Sequence, residues 1–273
     1  KLCRRGDRGS RMRKMHANAR ILAKTVSIGA LTACQPRNEP VADKDGAKQV
    51  AIAQAEGIPL IQSKAVPMTL TKPEACDAEG CTQYSIQTVE TNVDWINQYF
   101  AERIKKADPI AFSTAPNEKV NLSEGSEAGL SQSSTAVRYI SQWGHVATFA
   151  LESYSYSAGA AHGMSHVEYV NFDLKAKKRL ALQDVLVKGT EAKVLDGLFD
   201  ANSMWLANHD IERSKLQLSD NFYYGANGIV FVYPLYELAS YAEGMSELTL
   251  PYQMAKGLFK PEYFPNLPNY ENL

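Results

Sequence analysis

Apolar and polar residues alternate along much of the chain, and this two-residue period predicts β-strands. The alternation runs through five stretches, residues 66–70, 84–88, 136–156, 166–182 and 222–233. The last two stretches each contain a turn and are predicted to be hairpins. In the later hairpin, Asn227 and Gly228 are expected to adopt positive φ, which Asn-Gly turns do at low cost.

Helical spacing replaces the alternation in two places. Apolar residues recur every three or four positions over residues 93–104, with Asn92 as a candidate N-cap and Pro109 as the stop. Residues 190–209 carry apolar side chains on one side and predict a second helix. Residues 117–134 are rich in Ser, Glu and Gly, which favours a loop.

The predicted fold class is α+β, because strands outnumber helices and hairpins imply antiparallel pairing. We expect antiparallel sheets built from hairpins with a few packing helices, arranged as two small subdomains. Residues 57–135 would form an N-terminal hairpin-helix subdomain and residues 136–262 a C-terminal domain, followed by a tail at residues 263–273.

Charge is unevenly distributed along the 273 residues, although 29 Lys and Arg nearly balance 30 Asp and Glu. Residues 1–33 hold nine of the basic residues and one of the acidic residues, so the remainder has 20 basic and 29 acidic residues, a net charge of −9. Such an acidic body is expected to attract a basic protein, not nucleic acid. The sequence has no apolar run of 18 residues, which excludes a multi-span membrane protein.

The basic residues at 1–33 precede a modest apolar stretch, in the order of a secretory signal peptide. Leu-Thr-Ala-Cys at residues 31–34 resembles the lipobox of bacterial lipoproteins, in which the peptide is cut before a cysteine that then carries lipid. We therefore expect a signal peptide with an upstream extension, Met12 or Met15 being the more natural start. Residues 34–56 would be lipidated Cys34 and a flexible tether. The alternative is a basic amphipathic arm with an incidental cysteine.

This arrangement predicts an exported protein of the bacterial cell envelope, anchored by lipid alone on the periplasmic face, at the outer membrane in a Gram-negative cell. In an oxidising compartment, Cys76 and Cys81 are expected to form a structural disulfide, since Asp77 and Gly80 between them favour a turn. A zinc half-site is the alternative, but no second cysteine pair matches it.

Two segments are more specific than composition. The first reads YSYSAGAAHG from Tyr154 and then YVNFDL from Tyr169; the second reads FYY from Phe222, YELASYAEG from Tyr236 and LTLPY from Leu248. Together they resemble the RsiV-like domain family over roughly residues 136–259. That family usually has Gly-Gly-Ala-His where this chain has Ala-Gly-Ala-Ala-His, so the turn can differ by a residue.

The founding member of that family is an anti-sigma factor whose extracellular part binds lysozyme. The resemblance therefore implies recognition of a lysozyme-like or cell-wall-associated protein, or of a cell-wall glycan, by loops that occlude the ligand. Tyrosines suit such loops because they offer large area at small entropic cost; each could instead lie in the core or on a sheet face. The candidate binding residues are Tyr154, Tyr156, Ser157, His162, Pro234, Tyr236, Glu237 and Tyr241.

We expect no catalytic site, no metal and no cofactor. His162 and His166 are four residues apart, a spacing that on a helix puts two imidazoles on one face, where they can bind a metal ion. However, Gly163 and the alternation that follows it favour a loop and a strand. A Gly-x-Ser-x-Gly elbow, a phosphate loop and a dinucleotide motif are all missing from the sequence. The alternatives are a deacetylase-like zinc enzyme acting on peptidoglycan or another polysaccharide, a glycan-binding module, or a structural lipoprotein without a soluble ligand.

Overall fold

The computed structural model describes residues 57–120 and 129–265. The predicted signal peptide, Cys34 with its tether and most of the tail lie outside the described residues. Within these two ranges, each helix is too short or too polar to cross a membrane.

The described residues form ten strands, five α-helices and three 3-10 turns. The strands are β1 (Ser63–Pro67), β2 (Glu74–Cys76), β3 (Gly80–Thr91), β4 (Gly129–Trp143), β5 (Val146–Tyr156), β6 (Met164–Asp173), β7 (Lys178–Leu180), β8 (Phe222–Tyr224), β9 (Gly228–Tyr233) and β10 (Ser246–Pro251). The helices are α1 (Asp94–Ala107), α2 (Leu182–Val185), α3 (Glu191–Ala201), α4 (Ser203–Asn208) and α5 (Tyr252–Ala255), and the 3-10 turns are Pro109–Phe112, Tyr241–Glu243 and Pro261–Tyr263.

The strands make two sheets. The larger has the order β1-β3-β4-β5-β6-β7, with β2 also paired to β3, and the smaller has the order β10-β9-β8. Every pairing is antiparallel except that of β3 with β4, whose parallel arrangement is possible because the chain crosses back through α1. The predicted α+β class is thus confirmed. The boundary predicted between residues 135 and 136 lies inside β4.

The first hydrophobic core lies between α1 and the larger sheet. Ile96, Phe100 and Ile104 are four residues apart on one face of α1 and are fully buried. The ring of Phe100 meets those of Phe149 on β5 and Phe172 on β6, with centroids 5.3 and 5.7 Å away. Because such aromatic pairs add geometric preference to burial, they fix the helix across the two strands.

The second core joins the smaller sheet to α3 and α4. Its fully buried members include Val194, Leu198, Leu206, Phe231 and Leu250. This layer also reaches the larger sheet, where the ring of Tyr169 on β6 stacks on Tyr223 of β8 at 4.2 Å between centroids.

The outer edge of β6 is completed by side chains where β7 ends. β7 pairs only with residues 171–173 of β6. Beyond it, the Asn221 side chain accepts a hydrogen bond from Tyr169 N and donates one to Val167 O, both at 2.7 Å. Buried Asn171 donates to Phe222 O at 2.8 Å, which ties β6 to β8 directly. Buried strand edges need such partners, so these amides join the two layers.

Cys76 and Cys81 form the predicted disulfide, with Cα atoms 4.0 Å apart across the β2–β3 hairpin. The Asp77 carboxylate closes the turn by accepting hydrogen bonds from Glu79 N and Gly80 N. Because the two sulfurs are bonded to each other, they are not zinc ligands in this state.

The predicted helix at residues 93–104 is confirmed, but Asn92 is not its N-cap. Val93 occupies the cap position, and no side chain caps the helix. The Asn92 side chain instead accepts a hydrogen bond from Gln62 N and donates one to Leu60 O, each at 2.9 Å. Asn92 therefore serves the segment before β1, a long-range role that local spacing does not reveal.

Two further predictions need correction. Residues 129–134, expected within a loop, begin β4, because their serines occupy positions along a paired strand. The helix expected at residues 190–209 is two helices that meet at Asn202, whose amide donates to Leu198 O and Thr249 O. Asn202 thus forms a hydrogen bond to β10 at the point where the two helices meet.

The β8–β9 hairpin is present, but neither Asn227 nor Gly228 adopts positive φ. The turn is closed by Gly225 N donating to Gly228 O at 2.9 Å. Glycine is required at 228 for space, because a Cβ there would lie 2.2 Å from the Leu250 carbonyl oxygen of β10.

Candidate functional site

Two irregular segments lie together at the ends of β5 and β6. Residues 157–163 connect these strands, and residues 234–245 connect β9 to β10. Both carry residues that the sequence proposes for binding. Their contacts define the site.

Three rings from the two segments form what we call the ring cluster, comprising His162, Tyr236 and Tyr241. The His162 imidazole stacks on Tyr241 with centroids 3.8 Å apart and planes 20° from parallel. Tyr236 stacks less closely on Tyr241, at 5.8 Å, and its hydroxyl lies 3.2 Å from His162 Nε2. The sequence separation of His162 and Tyr236 is 74 residues, so the cluster is a tertiary feature.

The backbone carbonyl of Gly163 contacts two members of the ring cluster. It accepts a hydrogen bond from the Tyr241 hydroxyl at 2.8 Å and lies 3.2 Å from His162 Nδ1. Since a carbonyl oxygen only accepts, the second contact requires the proton on Nδ1, which leaves Nε2 of neutral His162 free to accept from the Tyr236 hydroxyl. One carbonyl therefore sets both the orientation and the tautomer of the histidine.

Gly163 also allows Tyr154 of β5 to approach. A Cβ at position 163 would lie 2.3 Å from Cζ of Tyr154, so only glycine permits the observed ring position. Tyr154 is 37% exposed and borders the ring cluster through this glycine. Four of the predicted binding residues are consequently brought together.

Tyr236 stands in a strained backbone conformation. Its φ is +69°, and Glu237 N donates to Pro234 O at 3.2 Å, so Tyr236 is the third residue of a tight turn. Glycine or asparagine usually fills a position with positive φ, because a larger side chain costs about 1–2 kcal/mol there. Tyr236 is nonetheless 55% exposed. The turn therefore accepts strain and presents an aromatic side chain to solvent, a pattern that favours a functional role.

The segment that carries Tyr241 is fastened at two points. Met245 Sδ accepts a contact from Val167 N on the β6 edge at 3.2 Å. Glu243 accepts from Ser240 Oγ at 3.0 Å and meets His209 Nε2 at 2.6 Å. These contacts hold the 3-10 turn Tyr241–Glu243 against both β6 and α4.

His209 faces two hydrogen-bond acceptors, which favour its charged form. Its Nδ1 lies 2.8 Å from Trp205 O and its Nε2 meets the Glu243 carboxylate, so both nitrogens must carry protons to satisfy both contacts. The bond to Trp205 O, followed by that to Glu243, raises the pKa of His209 above its usual 6.5. The bond from His209, followed by that from Ser240, lowers the pKa of Glu243 below 4.5.

The other predicted residues occupy different places. Tyr156 ends β5 and pairs with Gln132 of β4. Ser157 lines a separate hollow of about 520 Å³ beside the disulfide hairpin. Pro234 and Glu237 are exposed and frame the Tyr236 turn by their backbone hydrogen bond.

His162 and His166 lie on a loop and a strand, so helical geometry does not bring them together. Both ring nitrogens of His162 already contact protein atoms. Within residues 57–120 and 129–265, the group of three close potential ligands is Glu74 with the two disulfide cysteines. The metal alternative gains no support from these positions.

Sequence reasoning missed the residues that fasten the site. Asn221, Met245 and the pair His209 and Glu243 act across 34 to 78 residues of sequence. No local period marks them. Of the residues that shape the site, only Gly163 has a local signal, because it directly follows His162 in the segment YSYSAGAAHG that resembles the RsiV-like family.

We predict that Tyr236→Gly is more stable than Tyr236→Ala by roughly 1 kcal/mol, because both lose the ring and only glycine relieves the positive φ. Urea denaturation of both variants measures the difference. The matched control is the same pair of changes at exposed Glu237, where φ is not positive and alanine should be at least as stable as glycine. Equal or greater stability of Tyr236→Ala would contradict the assigned strain.

We also predict a pH-dependent contribution of the His209–Glu243 pair. Because the pKa of His209 is raised in the folded protein, its contribution to stability is complete below pH 6.5 and is lost as the pH rises through the folded value. Because the pKa of Glu243 is lowered, its contribution is complete above pH 4.5 and is lost as the pH falls through the folded value. His209→Gln should therefore reduce the melting temperature most between pH 4.5 and 6.5, with the difference falling at higher pH to the part that comes from the lost stack on Trp205.

Melting curves of His209→Gln, Glu243→Gln and the double variant across pH check this prediction. The double variant should lose less than the sum of the two single variants, because both changes remove the same ion pair. Exposed His166→Gln serves as the control for loss of a histidine as such. A pH-independent loss in His209→Gln would disprove the ionic character of the contact.

Residues 176–253 match the model of a family described as a protein of unknown function, DUF3298. The matched residues run from β7 to β10 and contain Tyr236 and Tyr241, whereas Tyr154 and His162 precede them. None of the curated proteins compared with the chain matches it.

Two solved structures are similar to the chain. A DUF3298 family protein from Pseudomonas aeruginosa is 22% identical, with a TM-score of 0.55 over 77% of this chain and 99% of that one. A member of the DUF3298 family from Bacteroides fragilis is 17% identical, with a TM-score of 0.50 over 74% of this chain and 93% of that one. The RsiV-like resemblance remains a prediction; residues 176–253 carry a DUF3298 match, and the fold is similar to that of two DUF3298 family proteins.

Proposed function

We propose that the protein is an exported envelope protein that binds a basic, lysozyme-like protein through the ring cluster and acts by occlusion. The observation that carries this proposal is the exposed, strained Tyr236 packed beside His162 and Tyr241. Backbone strain is concentrated at functional sites, so we infer that the exposed ring of Tyr236 contacts a ligand.

The cluster is suited to protein recognition because it is organised before the ligand arrives. The rings stack on one another, and the Gly163 carbonyl fixes two of them. Little side-chain entropy is therefore lost on binding, which raises affinity for a given contact area. Tyrosine also presents an apolar face and a hydroxyl together. The two loops would enter the cleft of the partner.

The charge of the body favours a basic partner. Residues 34–273 carry a net charge of −9, so a basic protein would be attracted before contact. This attraction falls as salt screens it over about 8 Å at physiological ionic strength. Salt should thus slow association more than it hastens dissociation.

Binding explains the described residues better than metal-dependent catalysis does. Both nitrogens of His162 are engaged by the protein, and His166 lies on a strand that follows the loop. A catalytic zinc needs three protein ligands together with an open position. We therefore propose that the protein is not a deacetylase-like enzyme.

The binding proposal is tested by titrating the purified protein with a basic lysozyme, measuring complex formation and residual wall-lysing activity at low and high salt. We expect a complex that inhibits lysis and weakens as salt rises. Tyr236→Ala should weaken it by roughly tenfold or more, as expected of an aromatic hot spot.

Met204→Ala is the matched control, since Met204 is 82% exposed and lies outside the cluster. It should bind like the unchanged protein. Absence of any complex at low salt would rule out the lysozyme-like ligand. Equal losses in both variants would show that the cluster is not the contact surface.

We further propose that Cys34 carries the lipid that anchors the protein. The disulfide of Cys76 and Cys81 supports an oxidising compartment. Cys34→Ala should abolish incorporation of labelled fatty acid and move the protein from the membrane fraction to the soluble fraction of expressing cells. Cys3→Ala is the control and should change neither. Continued labelling of Cys34→Ala would exclude this anchor.

A further inference from the structure

Within residues 57–120 and 129–265, no helix or strand covers part of the larger sheet on the face opposite α1. Alternate residues of a strand point to opposite faces, so Tyr154 shares its face with the residues that it pairs with, Ser134 on β4 and Ser165 on β6. Ser85 of β3 is in turn the partner of Ser134. The smaller sheet contacts this face further along β6, around Tyr169. A polar strip across β3 to β6 is left beside the ring cluster.

The strip is a groove, with two adjoining hollows of about 390 and 400 Å³. Both hollows are lined by Ser85, Ser134 and Tyr154, so they adjoin at these three residues. Amide side chains lie along the floor at Gln83 and Gln132. The groove therefore combines hydroxyls, amides and one exposed aromatic ring.

The groove is lined by two carboxylates, and one of them is neutralised by an ion pair. Glu152 in the first hollow is ion-paired with Arg138, whose Nε lies 2.7 Å from the carboxylate. Glu74 in the second is approached by the Gln83 amide. In this described part of the sheet, no lysine or arginine lines either hollow. An anionic ligand would meet no counter-charge, whereas an uncharged polar ligand would match the lining.

We propose that this groove binds an uncharged oligosaccharide, with a sugar ring against Tyr154 and its hydroxyl or acetamido groups on the serines and glutamines. An aromatic face packs against the apolar face of a sugar, and amide side chains both donate and accept hydrogen bonds. Strand addition by a peptide does not suit this surface, because the backbone groups of β4 and β5 are paired on both sides. The groove adjoins the ring cluster at Gly163, but the sugar-binding proposal does not depend on the protein-binding proposal.

Calorimetric titration of the full chain carrying Cys34→Ala with chitotetraose, an uncharged N-acetylated sugar, tests the proposal, with cellotetraose as a second uncharged probe. At least one should bind. Tyr154→Ala should weaken binding by about tenfold. Ser134→Leu, which fills the groove, should do the same, whereas Ser134→Thr keeps the hydroxyl and should bind. Circular dichroism confirms that each variant is folded.

The two proposals can be tested independently of each other. Tyr236→Ala should lower lysozyme binding and leave sugar binding unchanged, and Ser134→Leu should do the reverse. Lack of binding by both sugars at millimolar concentration would overturn the groove proposal and leave the lysozyme titration unaffected. Binding that survives in both Tyr154→Ala and Ser134→Leu would also overturn it.

Discussion

The outer edge of β6 needs hydrogen-bond partners along its length, and the way they are supplied determines where the second layer of the molecule lies. β7 serves only the last three residues of the strand. Beyond β7, the Asn221 side chain makes the two hydrogen bonds that a neighbouring strand would otherwise make, and Met245 adds a contact to Val167 N. Asn221 directly precedes β8 and Met245 directly precedes β10. Completing this edge therefore fixes the smaller sheet against the larger one and brings the loop before β10 to the end of β6.

That placement explains how a loop from the smaller sheet can share a site with a loop of the larger one. Gly163 is the meeting point, because its carbonyl accepts from Tyr241 and its lack of a Cβ admits Tyr154. The strain at Tyr236 is tolerable because the surrounding turn is held at Glu243 and Met245. A well-supported loop can keep one residue in a costly conformation, whereas a free loop would relax.

The strands and the first helix were predictable because their periods reflect which face is buried. Residues 93–104 show this well, since their spacing corresponds to the buried face of α1. The start of β4 was not predictable in this way. Its serines lie on a paired but partly exposed strand, and the signal for a strand is weak when neither face is strongly apolar. The polar groove could not be predicted either, because it is lined by serines from the same weakly patterned segment.

The candidate site was predictable in its residues but not in its geometry. Tyrosines near loops can be singled out from sequence, yet the contact of Tyr236 with His162 depends on pairings 74 residues apart. The capping prediction at Asn92 failed for the same reason, because a tertiary partner competes with the local one. Amide side chains are prone to this competition, since each can donate and accept and so join any two nearby backbone groups.

The groove and the ring cluster differ in chemistry although Gly163 lies between them. The cluster is aromatic and includes the exposed, strained Tyr236, and residues 34–273 carry excess acidic charge. The groove is lined mainly by hydroxyls and amides, and its Glu152 carboxylate is ion-paired with Arg138. Long-range attraction can therefore select a basic protein without drawing an uncharged ligand, which must be recognised by contact alone. Tyr154 belongs to the groove but lies against Gly163, so a change at that glycine would disturb both surfaces, whereas changes at Tyr236 or Ser134 should each affect one.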